Sequence, residues 1–288
     1  MKIGASYPTT EVPADPDTVR KFVRAIEAMG YTHMMAYDHV LTGPHEGRDG
    51  KLAGPYTDAH SFHDPFVLFA FAAAVSDTLG FATGVLVLPQ RQTALVAQQA
   101  AGIDRLSRGR LRLGVGIGWN FPEYEALGQN FKTRGRRIDE QIGLLRRLWT
   151  EPLVSFEGQF DRIDRLGLNP RPCRPVPLWL GGYSEPAYQR GATLGDGFVF
   201  AAPGEGAVEA WGRVKALLAE AGRSEDGYGR ELLALFAKDA QGAADDLRLF
   251  RDAGGTHGCV PSMDKGLGND IDAHIDYLAK AKHLIDAG

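Results

Sequence analysis

Cysteine is scarce in this chain: Cys173 and Cys259 are the only two among 288 residues. They form no metal-ligand spacing, and free thiols in a cytoplasmic protein are the expectation. Long apolar runs are also missing. The longest, around Pro65–Val75, is too short to span a bilayer. Met1-Lys2-Ile3-Gly4 leads straight into a strand, so no signal peptide is expected. No region gathers charge of one sign. The formal net charge is −4, with acidic and basic residues interspersed. That leaves no basic stripe for nucleic acid and no polybasic anchor for an anionic membrane. Carboxylate or histidine clusters at zinc spacing are absent. So are a nucleophile elbow, a P-loop and any Ser or Cys beside a His in a known signature.

What the chain does have is alternation. Ile3–Ser6 reads as a strand, and Asp15-Pro16-Asp17 opens a helix with Asp15 as N-cap. Val19, Phe22, Val23, Ile26 and Met29 share one face of that helix, and Gly30 caps it. His33–Tyr37 is a second strand. An insert rich in Gly, Pro, His and Asp, Leu41–His63, separates it from a helix starting at Asp64-Pro65. Leu79–Leu88 reads as a strand, with Phe81, Thr83, Val85 and Val87 on one side and Gly84 interrupting. A second insert, Glu151–Val176, contains a small hairpin over Val154–Phe160 and then an extended proline-marked run.

About eight strand-then-helix units emerge. Such alternation predicts a parallel sheet, and eight units in this length predict a closed (β/α)₈ barrel, a TIM barrel, forming a single domain over 1–288. The insertions fall after the second strand and before the fifth. The first lies at the end of a barrel where active sites are built. The second lies at the opposite end, as a structural or oligomer contact. An open doubly wound sheet is the alternative and requires fewer strands.

The chain is organised around Ile103–Trp119. Leu106 is the last helix-periodic apolar residue, and Gly109 supplies a helix stop at positive φ. Leu111, Leu113 and Val115 then alternate as a strand that carries Gly114, Gly116 and Gly118 on its other face. A strand face without side chains requires a close approach or a bend. Either a flat phosphate-bearing cofactor lies there, or small residues offset large ones inside the barrel. The spacing is not the dinucleotide fingerprint, which needs Gly-x-Gly-x-x-Gly.

Four strand ends gather the candidate chemistry: Asp38-His39, Gly84-Val85 with Thr83, Gly116-Ile117-Gly118-Trp119, and Gly181-Gly182. Gly181-Gly182-Tyr183-Ser184 precedes a helix, where free N–H groups and the helix dipole favour a phosphate; a tight strand-to-helix turn would explain the same glycines. Asp38 and His39 are the candidate acid/base unit, since imidazole titrates near neutrality. A histidine merely bonded at the edge of the core is the alternative. His33, His45, His60 and His63 have no partner pattern and read as structural or lid residues.

These pieces, in order, resemble the bacterial luciferase-like flavin and deazaflavin oxidoreductases over nearly the whole chain. The matching stretches include Gly30-Tyr31, Tyr37-Asp38-His39-Val40, Thr83–Pro89, Leu106–Arg110 running into Leu113–Trp119, Glu123-Tyr124, Pro175–Gly182 and Gly195–Phe198. The resemblance implies a TIM barrel with a cofactor at its C-terminal mouth, and a non-prolyl cis peptide at Gly84-Val85 in a bulge backing the cofactor ring. It also implies a phosphate held at Gly118 and at Gly181-Gly182, and His39 near the ring. It most resembles the coenzyme F420-dependent branch, which implies hydride transfer with a small organic substrate. FMN with monooxygenase activity is the alternative, and a cofactor-free accessory protein is a third. A homodimer is also expected. Two features depart from relatives. Trp119 stands where sugar-phosphate dehydrogenases of the family carry a carboxylate. The loop after the seventh strand shrinks to Ala237–Gly242, so Leu41–His63 would supply most of any lid.

Overall fold

A computed structural model describes residues 1–48, 52 and 54–288. The elements run β1 (Lys2–Ser6), α1 (Pro16–Ala28), β2 (His33–Ala36), α2 (Pro65–Val75), β3 (Gly80–Thr83), β4 (Leu86–Val87), α3 (Thr93–Leu106), β5 (Leu111–Gly116), α4 (Phe121–Ala126) and α5 (Arg134–Thr150). They continue with β6 (Val154–Glu157), β7 (Arg162–Leu166), β8 (Leu178–Gly181), α6 (Glu185–Leu194), β9 (Gly197–Phe200), α7 (Gly204–Glu220), β10 (Gly229–Leu233), α8 (Ala240–Asp252), β11 (His257–Pro261) and α9 (Ile271–Asp286).

The parallel sheet closes. Its order is β3-β2-β1-β11-β10-β9-β8-β5-β4, and β3 also pairs with β5. β3 and β4 occupy one barrel position, so eight strands ring the axis and the expected TIM barrel is present. Local chemistry sets the helix ends as the residues dictate. Asp15 caps α1 by accepting from the Asp17 and Thr18 amides, and Asp64 caps α2 in the same way. Gly30 and Gly109 take positive φ past the ends of α1 and α3. Leu106 departs from expectation: it is the last residue of α3 but points to solvent.

The strand expected over Leu79–Leu88 is broken. Ala82 pairs with Arg112 and Leu86 pairs with Val115, four residues against three. That one-residue bulge reverses the alternation. Phe81 faces the helices before it, and Leu86 and Leu88 face them after it. Val85 therefore turns into the barrel, and Phe81, Thr83, Val85 and Val87 do not share a side. The Gly84-Val85 peptide is cis. The second insert contains an antiparallel β6–β7 hairpin, with its second strand at 162–166, later than the expected Phe160 boundary.

The barrel interior is layered. Its lower layer, at the strand starts, is charged. The His33 Nε2 and Glu231 Oε1 atoms are 2.6 Å apart, and Arg112 Nη2 donates to Glu231 Oε2 at 2.6 Å. Arg112 also stacks on Trp179, 3.9 Å from the ring centroid. Above them, Met35, Tyr37, Val199, Leu233, Cys259 and Met263 form an apolar plug.

This lower layer makes stability pH-dependent. Burial, then the nearby Arg112, His33 and Lys2 charges, push His257 down to about 3. Burial opposes the Glu231 charge, but Arg112 and His33 outweigh it and hold the carboxyl down at about 2. Between pH 6.5 and 3 the unfolded chain protonates His257 while the folded chain does not. Between pH 4.5 and 2 the same holds for Glu231. The unfolded state binds more protons in both windows, so stability falls as pH falls through them. Urea unfolding at pH 7 and pH 4.5 is expected to show this loss, with a shallower loss in His257→Asn. An identical pH dependence in that variant would remove His257 from the account.

Candidate active site

Three of the four strand ends converge on one cavity of about 380 Å³ at the C-terminal mouth of the barrel. Gly84 and Val85, Gly116 to Trp119, and Gly181 to Ser184 all line it. Thr83 stands just behind, buried, its hydroxyl donating to the Gly114 carbonyl at 2.6 Å. Ile138, Leu180, Ala187, Val199, Ala201 and Leu233 supply an apolar remainder that sequence reasoning missed.

Close packing explains most of the mouth glycines. A Cβ on Gly114 would sit 2.0 Å from the Thr83 carbonyl oxygen. A Cβ on Gly116 or Gly181 would sit 2.6 or 2.8 Å from the Val85 methyls. Of the two explanations left open for this strand, a small residue opposite a large one is observed at Gly116, and at Gly114 it is the Thr83 backbone that comes close. At Gly182 the tight turn is what demands glycine. Its φ is +148°, and a Cβ would meet that of Ala187 at 2.7 Å.

The strand-to-helix turn is nonetheless suited to an anion. No side chain caps α6. The amides of Gly182, Tyr183, Ser184 and Glu185 have no acceptor among the described residues. Glu185 turns its carboxylate to Arg213. Arg190, one turn further along α6, lines the same cavity and is anchored on Asp139 and the Gly135 carbonyl. Free N–H groups, a helix dipole and a guanidinium there are chemistry that favours an anion. Arg190 carries no local sequence signal, because only the packing of α6 on α5 brings it to the cavity.

His39 is placed differently from the expectation. It does not line the cavity. It is buried beside it in an aromatic box, with ring centroids 5.3 Å from Trp119, 5.1 Å from Phe62 and 5.5 Å from Tyr56. Its Nδ1 lies 3.0 Å from Glu123 Oε2, and Glu123 Oε1 also accepts from the Leu41 amide at 3.0 Å. An ionised carboxylate only accepts, so Nδ1 carries the proton and Nε2 the lone pair of the neutral ring. Nε2 has no hydrogen-bond partner among the described residues. Glu123 is the main residue that sequence reasoning left without a role. Its signal was a lone carboxylate, buried to 2% exposure, at the start of the helix after the glycine strand.

Asp38, expected with His39 as the candidate acid/base unit, has a buried carboxylate that bonds elsewhere than to the His39 ring. Oδ2 accepts from the Val87 amide at 2.9 Å, and Oδ1 from Arg91 Nη2 at 2.6 Å. It ties the end of β2 to the far side of the bulge, which makes it a positioning residue. The first insert covers this region: Gly54 lies so close to Trp119 that a Cβ would be 2.3 Å from the indole. Residues 49–51 and 53 of that insert, part of the expected lid, lie outside the described residues.

The fold and cavity define a class: a βα barrel whose C-terminal strand ends enclose an apolar slot, bordered by free amides and Arg190, with a carboxylate-bonded imidazole beside it. The chain belongs to the luciferase-like monooxygenase family, whose model matches residues 1–269. It is 37% identical over 210 residues to an uncharacterized protein of Mycobacterium tuberculosis, covering 70% of this chain and 71% of that one. An F420-dependent hydroxymycolic acid dehydrogenase of the same organism is 29% identical over 240 residues, covering 81% and 63% respectively. The fold matches an F420-dependent secondary alcohol dehydrogenase in complex with an F420-acetone adduct, with a TM-score of 0.79 at 16% identity over 99% of this chain and 98% of that one. No described helix is long and apolar enough to cross a membrane.

The geometry at Gly182 gives a stability prediction. Gly182→Ala combines an unfavourable φ with a clash against α6, so it is expected to cost about 1–3 kcal/mol. Urea unfolding checks this. An unchanged midpoint would mean that the turn does not require glycine.

Proposed function

We propose that the protein is an oxidoreductase that uses a deazaflavin, coenzyme F420, for hydride transfer to or from a small uncharged organic molecule at the barrel mouth. The observation that carries this reading is the pairing of the anion receptor at Gly182–Glu185 and Arg190 with the His39–Glu123 dyad on the other side of Trp119. The F420-dependent relative supports the choice of cofactor. When bound, the deazaflavin supplies hydride chemistry at a ring carbon.

In this reading the chain's own residues divide the remaining work. The amides from Gly182 to Glu185, the Ser184 hydroxyl and Arg190 hold the phosphate. Gly84, Val85, Ile117 and Gly118 form the floor of the slot, and Gly116 and Gly181 allow Val85 to fill it. Trp119, Phe62 and Tyr56 exclude water beside His39. Glu123 fixes the tautomer of His39 and stabilises its cation when Nε2 takes a proton from a substrate hydroxyl. The same cation returns that proton in the reverse direction. Among the described residues no carboxylate or cationic side chain other than Arg190 lines the cavity, which favours an uncharged substrate over a sugar phosphate. A cytoplasmic homodimer is part of this reading, and the exposed Val67 of α2 and Leu95 of α3 are apolar positions that a second copy could cover.

FMN with oxygen chemistry is the second reading, favoured by the family's own description as monooxygenase-like. The same receptor would hold its phosphate.

Steady-state kinetics with the deazaflavin and a panel of small alcohols and ketones test the proposal. His39→Ala is expected to lower turnover by about 10²–10⁴-fold while cofactor affinity stays within a few-fold. Glu123→Gln, which keeps volume but removes the charge, lowers turnover by a smaller factor. Weakened cofactor binding with full turnover at saturation would make His39 a packing residue.

A further inference from the structure

The opposite end of the barrel contains a second cavity, of about 320 Å³, at the starts of β1, β2, β3, β5 and β11. Its charge is one-sided. Among the described residues, four permanent cations line it, Lys2, Arg110, Arg112 and Arg174, beside the rings of His33 and His257, whose charged forms burial disfavours, and no carboxylate does. In a chain of net charge −4, such a concentration of cations requires an explanation.

Internal pairing explains only part of it. Glu231, buried behind the cavity wall, takes one Arg112 nitrogen and His33. The other, Arg112 Nη1, is buried without an acceptor among the described residues. Arg110 spends its donors on the carbonyls of Ser76, Leu79 and Ser107, at the ends of α2 and α3. Arg174, from the second insert, donates to the Gly109 and Leu111 carbonyls, and its nearest carboxylate, Asp104, is 4.0 Å away. Carbonyls satisfy hydrogen bonds and fix the guanidinium groups in place, while the carboxylates nearest them, Asp104 by Arg174 and Glu27 and Asp77 by Arg110, stand outside the cavity lining. Lys2 has no ion-pair partner among the described residues.

His257 sits in the same field. Its Nδ1 lies 2.9 Å from the Thr256 hydroxyl, which donates to the Arg230 carbonyl. Nδ1 therefore carries the proton, and Nε2 is left as the second ring nitrogen to answer a change in charge.

We propose that this cavity is a binding site for a small dianionic oxyanion, a phosphate or phosphate monoester, held by Lys2 and Arg112, with Arg110 and Arg174 as fixed charges around it and the His257 ring beside it as a reporter of its charge. The site is separate from the catalytic mouth. Trp179 lines it from β8, whereas Gly181, two residues further along the same strand, lines the other cavity. The second insert, which places Arg174, is thereby given a role beyond covering the barrel base.

The test uses the intact protein and inorganic phosphate. The ring-proton resonances of His257, assigned by their loss in His257→Asn, are followed during phosphate titration, with sodium chloride at matched ionic strength as control. The expected result is a saturable shift with phosphate and none with chloride. Lys2→Glu alters an exposed side chain at the barrel edge and is expected to weaken the apparent affinity at least tenfold. A phosphate bound at the α6 N-terminus leaves these resonances unmoved, so the readout separates the two ends of the barrel. Three results would overturn the proposal: no shift with phosphate, an equal shift with chloride, or an unchanged affinity in Lys2→Glu.

Discussion

The site depends on one packing constraint. Val85 projects into the barrel from the bulge between β3 and β4 and occupies the space where Gly116 and Gly181 would otherwise carry side chains. Thr83 holds the bulge against the Gly114 carbonyl, and Asp38 holds its far side through Val87 and Arg91. The buried Asp38 carboxylate thus stabilises a backbone path. Removing one partner of such a buried pair typically costs about 3–5 kcal/mol, because the other charge is left uncompensated. With the bulge fixed, the cavity above it has a flat floor, and the amides after β8 border the same space.

A second buried carboxylate extends this order outward. Glu123 reaches from α4 to His39 and to the backbone after β2, so the imidazole and the entry to the first insert are held by one group. Trp119 borders both His39 and the apolar slot, with Gly54 laid against its six-membered ring. The opposite end of the barrel uses charge differently. There, one carboxylate, Glu231, serves Arg112 and the His33 ring, and the surplus positive charge faces an open cavity. The two ends share strands but no functional groups.

Much of this was legible in the residues. Asp15, Asp64, Gly30 and Gly109 state their roles locally, because capping and positive φ are properties of a few consecutive residues. The eight strand-helix units follow from periodicity. The broken third strand was not legible as such. A bulge shifts alternation by one residue, and Phe81, Thr83, Val85 and Val87 still read as a single face. The glycines of β5 were seen, but what requires them, the Thr83 carbonyl at Gly114 and the Val85 side chain at Gly116, comes from the broken strand beside it. His39 and Asp38 were found together because they are adjacent in the chain. Their divergence, one toward Glu123 and the other toward Arg91, is set by contacts 84 and 53 residues away. Arg190 and the lower cationic cluster were missed for the same reason: each assembles from elements that only barrel closure brings together.

The central claim is that the receptor at the start of α6 holds a deazaflavin by its phosphate. Equilibrium titration of coenzyme F420 and of FMN, followed by cofactor fluorescence in the wild type and in Arg190→Ala, tests it most directly. The account predicts tighter binding of F420 than of FMN. It also predicts about 10–100-fold weaker F420 binding in Arg190→Ala, the loss expected for a hydrogen bond to a charged group. Tight FMN binding without F420 binding, or equal F420 affinity in Arg190→Ala, would contradict it.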